Sequence, residues 1–99
     1  SQDCAVVSLH NHPSLSRVSL MDIRFFLRYH SIKLLVIVTN LGNVSYLVKS
    51  RKYDYVSAID FVNEVIAMHN EADNIRGYQK AVQYFLSNCH KVGIIYDNR

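Results

Sequence analysis

Leu34-Leu35-Val36-Ile37-Val38 is an unbroken apolar run whose last three residues are β-branched. Such a run offers no polar side to solvent, so it reads as a central strand buried on both faces. Its flanks then limit the architecture. Upstream, Ser19 to about Tyr29 carries Leu20, Ile23, Phe26, Leu27 and His30 at helical spacing, with Arg24 and Arg28 on the opposite face. Further upstream, Ala5 to Leu9 is a short apolar stretch bounded by Asp3 and Pro13, which reads as a buried strand. Strand, helix, strand is a βαβ unit, which implies a parallel pair and a right-handed crossover. Downstream, Asn40-Leu41-Gly42-Asn43 is a turn, and Val44 to Val48 returns as a strand with Val44, Tyr46 and Val48 on one face. The expected fold is α/β: a βαβ unit plus a hairpin in a mixed sheet flanked by helices.

Lys49-Ser50-Arg51-Lys52 follows as a short basic loop, read as a solvated connector, with phosphate contact as the alternative. Asp54 is placed to cap a helix from about Tyr55 to His69. Val56, Ile59, Val62, Val65 and Ile66 make that helix apolar on most faces. It is expected to be well buried, or covered by a missing N-terminal segment or another copy. After a polar break at Asn70 to Asp73, a second helix is expected from about Asn74 to His90. Ile75, Tyr78, Val82, Phe85, Leu86 and Cys89 lie on its apolar face. Gly93 then ends the helical stretch, and Ile94-Ile95-Tyr96 reads as a last short strand.

A chain of 99 residues fits one domain. The formal net charge of +3 is short of the dense Lys/Arg stripe of a dedicated nucleic-acid binder, so a nucleic-acid partner is not expected. No apolar run approaches the ~18 residues of a membrane span. Cys4 and Cys89 form no disulfide framework, and Cys89 reads as a small core residue. The expected compartment is the cytoplasm of a bacterium or of a bacterial host.

The candidate chemistry lies at the end of the first strand, in Ser8-Leu9-His10-Asn11-His12-Pro13, and in Ser19-Leu20-Met21-Asp22. Zinc takes imidazole nitrogen and carboxylate oxygen, and a catalytic zinc keeps three protein ligands with the fourth position left to water. His10 and His12, two apart on a strand, put both rings on one face. Asp22, on the first turn of the following helix, is the natural third ligand. Ser19 and Asp22 also have the form of a helix-start cap. His30, His69 and His90 sit near helix C-termini, where a cation interacts favourably with the helix dipole.

Taken together, strand, His-x-His-Pro, short loop, Ser-x-x-Asp, helix and apolar strand resemble the JAMM (MPN-type) zinc metalloprotease family, in the form of its prokaryotic and phage, RadC-like branch. The resemblance covers roughly residues 5 to 48. It implies a cytidine-deaminase-like α/β fold and Zn2+ held by His10, His12 and Asp22. It also implies a role for Ser19 in stabilising an oxyanion, and a metal-activated water that attacks an amide or isopeptide carbonyl. Two departures are visible. The loop from His12 to Asp22 is one residue shorter than the usual family spacing. The family's general-base glutamate precedes the histidines, whereas Asp3 is the only carboxylate upstream here, and Glu64 and Glu71 lie downstream.

The resemblance therefore implies a single domain over residues 1–99, with a core at 5–48 and a helical part at 54–92, lacking its N-terminal strands and the catalytic glutamate. The expected function is a zinc-dependent peptidase or isopeptidase acting on a protein or peptide. The alternative is a non-catalytic MPN-like interaction module, of a phage structural or toxin-associated protein, that keeps a structural metal. A zinc deaminase is disfavoured because His-x-Glu and Pro-Cys-x-x-Cys patterns are absent.

Overall fold

The computed structural model describes residues 5–12, 18–39, 42–69 and 75–98, with 5–12 and 75–76 described by their backbone. The elements run β1 (Ala5–His12), α1 (Leu20–Arg28), β2 (Ile32–Thr39), β3 (Val44–Lys49), α2 (Tyr55–Met68), α3 (Ile75–Asn88), a 3-10 turn (Cys89–Val92) and β4 (Ile94–Asn98). The four strands form one sheet in the order β1-β2-β3-β4. β1 is parallel to β2, and β3 is antiparallel to both β2 and β4. This is the expected α/β arrangement: a strand-helix-strand unit, a hairpin beyond its second strand, and two further helices before a closing strand.

Local chemistry sets the helix starts. Ser19 caps α1: its Oγ accepts the Asp22 N–H at 3.1 Å, and the Ser19 N–H donates back to Asp22 Oδ2 at 2.9 Å. The pair satisfies two backbone donors that a helix start otherwise leaves unmade. Asp54 caps α2, where Oδ2 accepts one backbone donor, the Ser57 N–H at 3.0 Å, and also the Ser57 hydroxyl at 2.6 Å. These bonds hold the Asp54 carboxyl below its ordinary value, the Ser57 side chain acting most strongly. Gly93 ends the 3-10 turn with φ +82°, and the backbone of Lys52 and Tyr53 lies where a Cβ would stand.

Among the described side chains of β2 and β3, one face of the sheet is buried and the other is half-buried. Leu35, Ile37 and Thr39 of β2 alternate inward with Ser45, Leu47 and Lys49 of β3, and Ile94 of β4 joins them. Ile23, Phe26 and Leu27 of α1, Ala58, Val62 and Val65 of α2, and Ala81, Val82 and Phe85 of α3 complete the core. The three helices contact one another, and the shortest extent of the Cα trace is 18 Å. Sheet and helix layers pack about 10 Å apart, so this thickness admits two layers.

The expectation of a central strand buried on both faces is thereby corrected. Leu34, Val36 and Val38 are half-buried, beside Val44, Tyr46 and Val48 of β3. The apolar run is symmetric in composition, but the helices cover one side. α2 is likewise less enclosed than its composition implied, with Val56 64% and Met68 55% exposed. Tyr78, expected on the buried face of α3, is exposed, and Ala81 takes its place. The expected loop at 13–17, the centre of the turn at 40–41 and the break at 70–73 lie outside the described residues.

Candidate metal centre

β1 extends past the expected Leu9 to His12, so both histidines of the His-x-His pair belong to the strand. They stand at its carboxyl end, where His12 pairs with Thr39 at the carboxyl end of β2. The register is irregular between Leu9 and His12. Strict alternation, on which the same-face argument for the two rings rests, is interrupted in this segment. The side chains of His10 and His12 lie outside the described residues.

α1 begins at the same end, because the chain leaves β1 there and returns through α1 to the start of β2. Ser19 is half-buried and Asp22 is 7% exposed. Asp22 is thus a buried carboxylate, with Oδ2 held by the Ser19 N–H. Ser19 Oγ accepts from Asp22 N–H, a role that leaves the hydroxyl's own proton for donation. Ligands of open α/β sheets gather at strand carboxyl ends and the helix N-termini beside them, and this is where the structure puts Ser19 and Asp22. Imidazole and carboxylate are a donor set that zinc accepts. Among the described residues, no group of three His, Cys, Asp or Glu side chains comes together to hold a metal. Glu64 is exposed on α2, while Asp3 and Glu71 lie outside the described residues.

The remaining histidines have local roles. His69 caps the end of α2, with Nδ1 2.9 Å from the Val65 carbonyl oxygen. His30 meets Tyr55 edge-on at 4.5 Å between ring centroids. Cys89 is buried, and burial pushes its thiol up to about 11, so it stays a neutral core residue.

At the other end of the sheet the structure holds a residue that composition alone misread. Lys49 was expected in a solvated loop, yet it is the last residue of β3 and 8% exposed. Its Nζ donates to the Tyr29 carbonyl at the C-cap of α1 at 2.9 Å. It also lies 4.6 Å from the Phe26 ring centroid and 5.2 Å from that of Tyr53. Burial first, and the Lys33 charge second, lower its ammonium to about 8. The signal was in the strand period: Ser45, Leu47 and Lys49 share the face opposite Val44, Tyr46 and Val48. Tyr53 packs beside it, and burial, followed by Tyr55 and Asp54, pushes its phenol up to about 12. The hydroxyls of Tyr53 and Ser45 are buried without a hydrogen-bond partner.

No helix among the described residues is long and apolar enough to cross a membrane. No family model, no curated protein and no solved structure matches the chain.

Proposed function

We propose that the chain is a zinc-binding domain of the peptidase or isopeptidase type, with His10, His12 and Asp22 as metal ligands and Ser19 as an oxyanion donor. One observation carries the reading. The histidine pair closes a strand at the end of the sheet where α1 starts, and α1 opens with a buried carboxylate three residues after a serine. A zinc ion bound there would lower the pKa of its water toward ~7 and polarise a carbonyl.

The chain's own groups supply the rest. Packing and the reciprocal cap fix Asp22, so its carboxylate needs little further ordering to act as a ligand. Ser19, at the positive end of the α1 dipole, is placed to donate its hydroxyl proton to a developing oxyanion. The proton transfer to a leaving amine is assigned to no residue of this chain.

The non-catalytic alternative draws on the same cap, since Ser19 and Asp22 bond to each other without any ligand. Zinc content separates the two roles from a purely structural cap. The purified chain should hold about one zinc per molecule by elemental analysis, and a His10→Ala/His12→Ala variant should hold none. Equal, near-zero zinc in both proteins overturns the site. Chelator-sensitive hydrolysis of a peptide or isopeptide bond, lost in Ser19→Ala, would then favour the enzyme over the binding module.

A further inference from the structure

The end of the sheet opposite the histidines concentrates positive charge. β2 starts, β3 ends and β4 starts there, as the pairings Leu34 with Val48 and Lys49 with Ile94 require. Three segments distant in sequence are thereby brought together: Arg28 to Lys33, Lys49 to Tyr55, and His90 to Gly93. Their contacts are direct. Lys49 Nζ reaches the Tyr29 carbonyl, Ser50 N–H donates to the Gly93 carbonyl at 2.8 Å, and His30 stacks edge-on against Tyr55. Arg28, Lys33, Arg51, Lys52 and Lys91 are all exposed here, and His30 and His90 are exposed beside them.

Asp54 is the only carboxylate in these segments, and it is engaged in the α2 cap. The positive end of the 14-residue α2 helix points to the same place. The other described acidic groups are Asp22 at the start of α1, Asp60 and Glu64 further along α2, and Asp97 near the far end of β4. The modest net charge of +3 therefore hides a local concentration of positive charge.

Exposed aromatic surface is interleaved with the cations. Tyr29 is 45% exposed at the end of α1, with Arg28 5.8 Å from its ring centroid, and Tyr55 is 38% exposed at the start of α2. Tyr29 also packs on Phe25 at 5.0 Å between centroids, and Tyr55 on His30, so each ring is part-exposed. A basic surface that carries part-exposed aromatic rings is the pattern of single-stranded nucleic-acid binding. The cations neutralise phosphates, and the rings accept unstacked bases of any identity. An anionic membrane would use the same charge, but among the described residues only single apolar side chains, Val56 and Ile95, are exposed beside the cations, not the continuous apolar stripe that enters a bilayer interface. We propose that this end of the sheet binds single-stranded nucleic acid, with Arg28, Lys33, Arg51, Lys52 and Lys91 on the phosphates and Tyr55 as a stacking ring. The site uses no residue of the histidine end, so it stands or falls apart from the zinc reading.

The test is fluorescence anisotropy with a labelled oligothymidylate of about 20 nucleotides, over about 50 to 300 mM salt. Binding should weaken with salt, and a Lys33→Gln/Arg51→Gln/Lys52→Gln variant should flatten the log–log slope by about 2, at roughly 0.7 per lost phosphate contact. Its affinity should fall at least about tenfold, while Lys80→Gln, on exposed α3 surface, should change neither. Tyr55→Ala should weaken binding about tenfold and Tyr55→Trp should restore it. Circular dichroism confirms that each variant is folded. No binding at the lowest salt overturns the proposal. So does an equal loss in Lys80→Gln, or binding of phosphatidylserine vesicles without binding of the oligonucleotide. Tighter binding of a duplex of the same length overturns the stacking role.

Discussion

Lys49 should make this protein more stable in mildly alkaline solution than at neutrality. Its ammonium is lowered from 10.5 to about 8 in the folded chain. The unfolded chain therefore holds more protons than the folded one between those values, and stability rises with pH across that window. Below pH 8 both states are protonated, and the full cost of burying the charge is present. At 1.36 kcal/mol per pH unit that cost is about 3 kcal/mol, reduced to about 2 by residual solvent screening. With the same screening, the Lys49 contribution alone between pH 7 and 9 is worth roughly 0.8 kcal/mol.

Two groups oppose it. Cys89, raised from 9.0 to about 11, ionises first in the unfolded chain and removes roughly 0.4 kcal/mol by pH 9. Tyr53, raised from 10.0 to about 12, acts the same way from about pH 9 upward. The expected net gain from pH 7 to 9 is therefore about 0.4 kcal/mol, turning over near pH 9. Urea unfolding at closely spaced pH values, with a constant m value, measures it. Lys49→Met should abolish the rise. It should leave stability at pH 7 unchanged or higher, because an apolar chain of similar length can fill a site that holds an unpaired charge. A flat wild-type profile refutes the assignment, as does a rise that survives in Lys49→Met. A loss above about 2 kcal/mol for that variant at pH 7 would show that the bond to Tyr29 outweighs the buried charge.

Gly93→Ala should cost more than about 2 kcal/mol, because it combines a positive φ with a clash against the Lys52–Tyr53 backbone; thermal unfolding reads the loss directly. Ser45→Ala should stabilise by up to about 1 kcal/mol, since it removes a buried hydroxyl that bonds to nothing, and a destabilised variant would refute this. Ser19→Ala should cost about 1 kcal/mol through the α1 cap whether or not zinc is added. Asp22→Asn keeps an amide oxygen that can accept the Ser19 N–H, yet it should lose zinc by elemental analysis; retained stoichiometric zinc would remove Asp22 from the ligand set.

The parts of the fold that were legible in sequence are those with local causes. Ser19 with Asp22, and Asp54 with Ser57, start helices through bonds three residues apart, so the starts of α1 and α2 follow from the sequence itself. The hairpin of β2 and β3 followed from alternation and a glycine turn, and Gly42 does adopt φ +84°. What was illegible needed the third dimension. Nothing in Leu34 to Val38 tells which face the helices take, so burial on both faces was the natural expectation. Lys49 was misread because its neighbours in sequence are basic and exposed, while its neighbours in the strand period are Ser45 and Leu47. At the candidate site the sequence named the residue types. The structure added the burial and the reciprocal bonds of Asp22, and the irregular register between Leu9 and His12.

The topology also gives the two proposed sites separate places on so small a sheet. A parallel pair joined by a helix sends its carboxyl ends, and the start of that helix, to one edge of the molecule. This gathers His10, His12, Ser19 and Asp22 into one end of the fold. The antiparallel strands that follow return the chain to the opposite edge, where β3 finishes and β4 begins. Every residue of the basic surface belongs to a segment that turns at that edge. The eight residues of β2 separate the two edges by roughly 25 Å, more than twice the Debye length of about 10 Å at 0.1 M salt. Charge at the basic edge is therefore screened from the carboxylate and imidazoles at the other. Each end can be altered, titrated or loaded with ligand while the core between them, built on Leu35, Ile37 and Leu47, stays the same.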